Sequence, residues 1–133
     1  MQMYHQGIVV YETVLREKRD YKLRVLLHDF GMIYVDDEYV GNITRTWYSA
    51  ESFNISCKRE NCRLKVIVEA MGHVNYHQMQ RRDKKGIIGL SIYNYTEKIN
   101  WKFSRVLLNN TDLLSWFKIS AKTVSPSLLM ATF

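Results

Sequence analysis

The sequence predicts an all-β chain folded as an antiparallel β-sandwich or jelly roll of about eight strands. Three observations carry that prediction. Apolar and polar residues alternate along most of the length, with β-branched and aromatic residues on the apolar beat. The alternating runs recur about every ten residues and are separated by polar turns rather than helices. Finally, the 133 residues are 47% hydrophobic and 24% charged, enough for one core, and no Pro-, Gly- or Ser-rich block divides them.

The elements follow in order. Val9–Leu15 (VVYETVL) and Tyr21–Leu27 (YKLRVLL) read as the first two strands, joined across Arg16-Glu17-Lys18-Arg19-Asp20. Met32–Val35 and Glu38–Ile43 flank Asp36-Asp37, residues that tolerate tight-turn backbone. Glu51–Cys57 and Arg63–Ala70 meet at Lys58-Arg59-Glu60-Asn61. A long polar connection leaves the sixth strand as MGHVNYHQMQRRDKKGIIG, Met71 to Gly89. It re-enters the sheet where Gly86 and Gly89 free the backbone for Ile87 and Ile88. Ile87–Tyr93 and Ile99–Phe103 complete the set, with Tyr34, Trp101 and Phe103 at core-directed positions. Helical periodicity is confined to a short turn, Thr111–Ser120, which Thr111 or Asp112 would cap. The domain is expected to span residues 1–122, with 123–133 as a C-terminal tail.

Charge and composition narrow the function classes. Net charge is +6, but each basic cluster (Arg16–Asp20, Lys58–Arg63, Arg81–Lys85) also contains an acid, as solvated hairpin ends do. Nucleic acid is not the expected partner, because stacking requires exposed aromatics beside the cations and these aromatics look core-directed. No apolar run approaches the roughly 20 residues that cross a bilayer, so membrane insertion is not expected. The N-terminus lacks a charged start with an apolar stretch behind it. Four sequons, at Asn42, Asn54, Asn94 and Asn109, are usable only in a secretory compartment.

No cofactor or metal site is expected. His73 and His77 stand four apart, but Gly72, Val74 and Asn75-Tyr76 do not read as helix and no third ligand is near. His5 and His28 are isolated. With thirteen acids, a carboxylate pair at glycosidase spacing arises somewhere regardless of function. Cys57 and Cys62 flank the KREN turn, and a disulfide there would close a short loop worth on the order of 2 kcal/mol. Two free thiols are the equal alternative, and the choice tracks compartment.

Specific passages resemble a known family. His28-Asp29 before a strand ending Tyr34-Val35-Asp36, then Tyr39-Val40-Gly41, is similar to the "HD … vfVdg … GxL" passage of β-galactosidases of glycoside hydrolase family 35. Val68–Tyr76 and Asp83–Gly89 resemble its "vENmGRvNYG … D.RKGIxG" passage, Ile99–Lys102 its "L.nWk", and Tyr11-Glu12-Thr13 after Gly7 its "G.vlYrt". The resemblance covers about residues 4 to 108 in a single order. It departs at Asp37, His73 and His77, where the family has glycine, arginine and glycine.

The resemblance implies a galactose-binding-like accessory module that packs beside a catalytic barrel. The family's catalytic glutamates lie on a (β/α)8 barrel of roughly 250 residues, which this chain cannot contain. No residue here is expected to be catalytic. The expected function is carbohydrate binding or assembly, with Trp47, Tyr48, Tyr76, His77 and Arg81 as candidate sugar-contacting residues. The alternatives are a small scaffold subunit of a larger complex without sugar binding, and a fragment of an active β-galactosidase. The compartment would be secretory or lysosomal for a piece of such an enzyme, and intracellular if Met1 is the true start.

Overall fold

The computed structural model describes residues 7–45, 49–72 and 83–106. The helical turn expected at 111–120 and the tail at 123–133 lie outside them, as does the domain end at 122. Eight strands are present: β1 Gly7–Leu15, β2 Asp20–His28, β3 Phe30–Val35, β4 Glu38–Thr44, β5 Glu51–Ser56, β6 Cys62–Ala70, β7 Gly86–Tyr93 and β8 Lys102–Val106. They form two antiparallel sheets, one ordered β4-β3-β6-β1-β8 and the other β5-β2-β7. This is the all-β sandwich that the alternation predicts, and the observed strands contain or nearly coincide with seven of the expected runs.

The period-2 pattern is read out directly as burial. In β2, Tyr21, Leu23, Val25 and Leu27 are buried, whereas Lys22 and Arg24 face outward. Across the larger sheet, Ile33, Val66 and Tyr11 stand opposite one another on the inner face, and Ile43, Gly31, Val68 and Val9 form the next inner row. Ile55, Ile87 and Ile92 of the smaller sheet close the core from the other side. A one-residue slip would send all of these side chains to the solvent face, so burial itself sets the register.

The eighth strand departs from expectation. It runs Lys102–Val106 rather than Ile99–Phe103, because Tyr95, Ile99 and Trp101 pack against the core as a plug instead of pairing. Thr13 Oγ1 fastens that plug by donating to the carbonyl of Asn100 at 3.0 Å. Phe103, expected inside, is 51% exposed. It stands opposite Tyr11 on the inner face, but β8 is the edge of the five-stranded sheet, which is wider than its three-stranded partner and overhangs it.

Two local devices shape the strand connections. Asp36 and Asp37 have φ of 47° and 68°, so β3 turns into β4 through two residues in the left-handed region, the requirement of a type I′ hairpin. At the start of β7, Gly86 has φ +87°, and a Cβ there would lie 2.7 Å from Tyr11 Oη. Pairing then slips: Leu27 faces Ile87 and Leu26 faces Gly89, leaving Ile88 as a bulge. The expected role of Gly86 at the strand entry thus has a geometric basis.

Candidate functional site

The most concentrated chemistry lies at the end of the sandwich where β2, β4 and β6 finish and β7 begins. Asp29, Arg45, Asp83 and Lys85 form an ionic cluster whose side chains are 9%, 16%, 0% and 1% exposed. Lys85 Nζ lies 2.6 Å from Asp29 Oδ2 and 3.1 Å from Asp83 Oδ2, and Arg45 bonds to both carboxylates. The Met71 N–H donates to Asp29 Oδ2 at 2.8 Å, and the Asp29 N–H donates to the Glu69 carbonyl at 3.3 Å. Beside it, His28 Nδ1 lies 2.8 Å from the carbonyl of Lys84. Two acids balance two bases, which makes burial of four charged groups tolerable.

This corrects the reading of Arg81–Lys85 as a solvated loop. Asp83 and Lys85 are buried and only Lys84 between them is exposed. The alternation of β7 extends two steps upstream of Gly86, with paired charges occupying the inward positions. That period-2 placement of Asp83 and Lys85 was visible in the sequence; their partners Asp29 and Arg45, distant along the chain, were not.

The partners of Asp29 favour its ionised form. Burial pushes the Asp29 carboxyl up, but hydrogen bonds from Lys85 and the Met71 N–H, with the Lys85 charge, hold it below the usual carboxylate range. Burial likewise works against the Arg45 charge, and its bonds to Asp83 and Asp29 outweigh that and raise its pKa. A glycosidase acid must keep its proton near neutral pH. Asp29 is held the other way, and with Asp83 it ties Arg45 and Lys85 into a structural clamp.

The clamp also gathers two segments of chain. Arg45 immediately precedes residues 46–48, Met71 and Gly72 lead into 73–82, and Asp83 follows them. The start of the first connection and both ends of the second are therefore held at one point. The candidate sugar-contacting residues Trp47 and Tyr48 belong to the first connection, and Tyr76, His77 and Arg81 to the second. All five lie outside the described residues, as do His73 and the histidine-pair question. A concavity of about 640 Å³ opens against the clamp, lined by Asp29, Phe30, Thr44, Arg45, Glu69, Met71 and Gly72. Among the described residues no group of three or more His, Cys, Asp or Glu side chains could hold a metal ion.

A second polar network occupies the opposite end. The Asp36 carboxylate accepts both fork nitrogens of Arg59 at 2.8 Å and the Arg63 N–H at 2.9 Å. These bonds, led by that to Arg59, lower its pKa to about 2. Asp37 pairs with Lys65 at 2.7 Å and with Arg63, and Lys58 pairs with Glu38 at 2.7 Å. Cys57 and Cys62 are joined as a disulfide across the β5–β6 hairpin end, Cα–Cα 5.6 Å, and both are buried.

The two outer faces of the sandwich differ in kind. On the smaller sheet Lys22, Arg24, Ser52, Asn54, Ser56, Ser91 and Tyr93 point outward and are exposed, and the apolar outward residues are Leu26, half-buried, and Ile88, exposed at the bulge. On the larger sheet, one outward row runs Asn42, Met32, Ile67, Val10, Ser104, and the next runs Thr44, Phe30, Glu69, Ile8, Val106. Its centre is apolar and half-buried. No described strand packs on it.

Architecture and site together define an all-β module: among the described residues, a two-sheet antiparallel sandwich whose buried acids are committed to ion pairs. More particularly, the chain belongs to the family of the β-galactosidase first all-beta domain, whose profile matches residues 2–116. None of the curated proteins compared with it matches. Among the described residues, no helix is long and apolar enough to cross a membrane.

Proposed function

We propose that the chain is the non-catalytic docking module of a β-galactosidase of the family-35 type, attaching to the catalytic barrel through the outer face of its five-stranded sheet. The observation that carries this is the contrast between the two outer faces. A sheet face exposed to water alternates polar residues outward, as the β5-β2-β7 sheet does. The β1, β3 and β6 positions instead present Ile8, Val10, Phe30, Met32 and Ile67 outward. An outward row of half-buried apolar residues, Met32, Ile67 and Val10, flanked by Phe30 and Ile8 on either side of Glu69, on a family member that accompanies an enzyme fits a protein–protein contact.

The test is direct. The chain is mixed with a separately produced family-35 catalytic barrel and association is followed by sedimentation velocity. Wild type should bind, and the Val10→Lys/Ile67→Lys variant should lose at least tenfold in affinity while keeping its circular dichroism. Equal binding by both would overturn the assignment of the face. The isolated chain should release no product from a chromogenic β-galactoside; turnover above buffer would refute its non-catalytic role.

A second reading, carbohydrate binding, draws on the clamp that holds the start of 46–48 beside the two ends of 73–82. Trp47, Tyr48 and Tyr76 would stack on sugar faces, with His77 and Arg81 bonding hydroxyls. Saturable NMR shifts in these residues on titration with galactose or lactose would support it, and no shifts at millimolar sugar would rule it out.

A further inference from the structure

The sequons fall on the fold in a pattern that the sequence does not display. Among the described strands, the edges are β4 and β8 in one sheet and β5 and β7 in the other. Asn42 (Asn42-Ile43-Thr44) lies on β4, Asn54 (Asn54-Ile55-Ser56) lies on β5, and Asn94 (Asn94-Tyr95-Thr96) follows the last residue of β7. No sequon lies on the interior strands β1, β2, β3 or β6. The fourth, at Asn109, is outside the described residues.

All three asparagines are exposed, while the middle residue of each strand sequon, Ile43 or Ile55, is buried in the core. The acceptor side chains therefore point to solvent by the same alternation that builds the core. At Asn42, Tyr39 Oη donates to Oδ1 at 3.0 Å, engaging the amide through its oxygen rather than its nitrogen. Asn94 sits at φ 60°, in a turn that displays its side chain. Independently, the Cys57–Cys62 disulfide belongs to an oxidising compartment, where N-glycosylation also occurs.

We propose that Asn42, Asn54 and Asn94 are N-glycan acceptors, and that their glycans cap the outermost described strands of the two sheets. The donor is an oligosaccharide carried on a polyprenyl pyrophosphate. The asparagine Nδ2 attacks the anomeric carbon, an N-glycosidic bond forms as the bond from that carbon to the pyrophosphate oxygen breaks, Nδ2 loses a proton, and polyprenyl pyrophosphate departs. An edge strand offers unpaired N–H and C=O groups to any other strand, and a bulky hydrophilic chain there blocks such pairing. Asn42 ends the outward row through Met32, Ile67 and Val10, so its glycan marks the β4 limit of that face.

The full chain, expressed behind a secretion leader in a eukaryotic cell, is treated with peptide N-glycanase in ¹⁸O-water and mapped by mass spectrometry. Labelled aspartate is expected at positions 42, 54 and 94; an unmodified Asn42 or Asn54 in folded, secreted protein overturns the proposal. The folded glycoprotein is then trimmed enzymatically and compared with its untrimmed form by sedimentation velocity. Self-association on trimming, reversed in the untrimmed control, is the expected result. Two indistinguishable profiles overturn the edge-capping role.

Discussion

Asp36 shows how a single side chain does two jobs. Its left-handed backbone makes the β3–β4 turn, and its carboxylate collects Arg59 and the Arg63 N–H from the neighbouring hairpin. The pKa is lowered to about 2, so the native state favours the ionised form. A depressed carboxylate contributes stability above its unfolded pKa and loses it as pH falls through the folded value. Asp36→Asn keeps the turn and one acceptor but removes the charge. At pH 7 it should lose roughly 1 kcal/mol, a small figure because the pair is solvent-screened. The gap to wild type in urea titrations should close between pH 4 and pH 2; a gap independent of pH would show that the ion pair contributes nothing. The turn was legible in the sequence from Asp-Asp between two alternating runs, but the partners were not, since Arg59 is 23 residues away.

The β5–β6 hairpin illustrates the same limit for an element. The strands and the KREN turn follow from alternation, and Cys57 and Cys62 follow them as hairpin-end neighbours. Spacing alone left disulfide and free thiols equal; in the structure they are joined. The bond closes a loop of six residues, so reduction should cost on the order of 2 kcal/mol, seen as a lower urea midpoint on adding a thiol reductant. An unchanged midpoint would mean that the surrounding ion pairs already hold the hairpin. The eighth element was misplaced for a related reason. Ile99 and Trp101 carry the right alternation for a strand, yet they serve better as a plug over the gap beside β1, and pairing begins only at Lys102.

For the whole molecule, the clamp of Asp29, Arg45, Asp83 and Lys85 joins the ends of four strands. Lys85→Met should destabilise the fold by roughly 3–5 kcal/mol, because it strands buried carboxylates with one cation. Lys85→Met/Asp83→Asn, which removes one charge of each sign, should recover part of that loss. Chemical denaturation of the three proteins measures both effects. A single variant as stable as wild type would mean that water reaches the cluster and shields it.

Alternation is a local property, and it was enough to establish an all-β sandwich, the approximate limits of most strands and the buried face of most of them, though Tyr34 and Phe103, read as core-directed, are on the outward face of β3 and on an exposed edge. The His28-Asp29, Val68–Tyr76 and Asp83–Gly89 passages were enough to indicate the family. Pairing between distant segments is not local. It took the assembled sheets to bury Asp83 and Lys85 against Asp29 and Arg45, to expose Phe103 on an overhanging edge, and to place the sequons along the outermost described strands. The physical reason is that period-2 patterning specifies inside and outside for a strand, whereas the cost of burying a charge or leaving an edge open depends on which strand lies beside it.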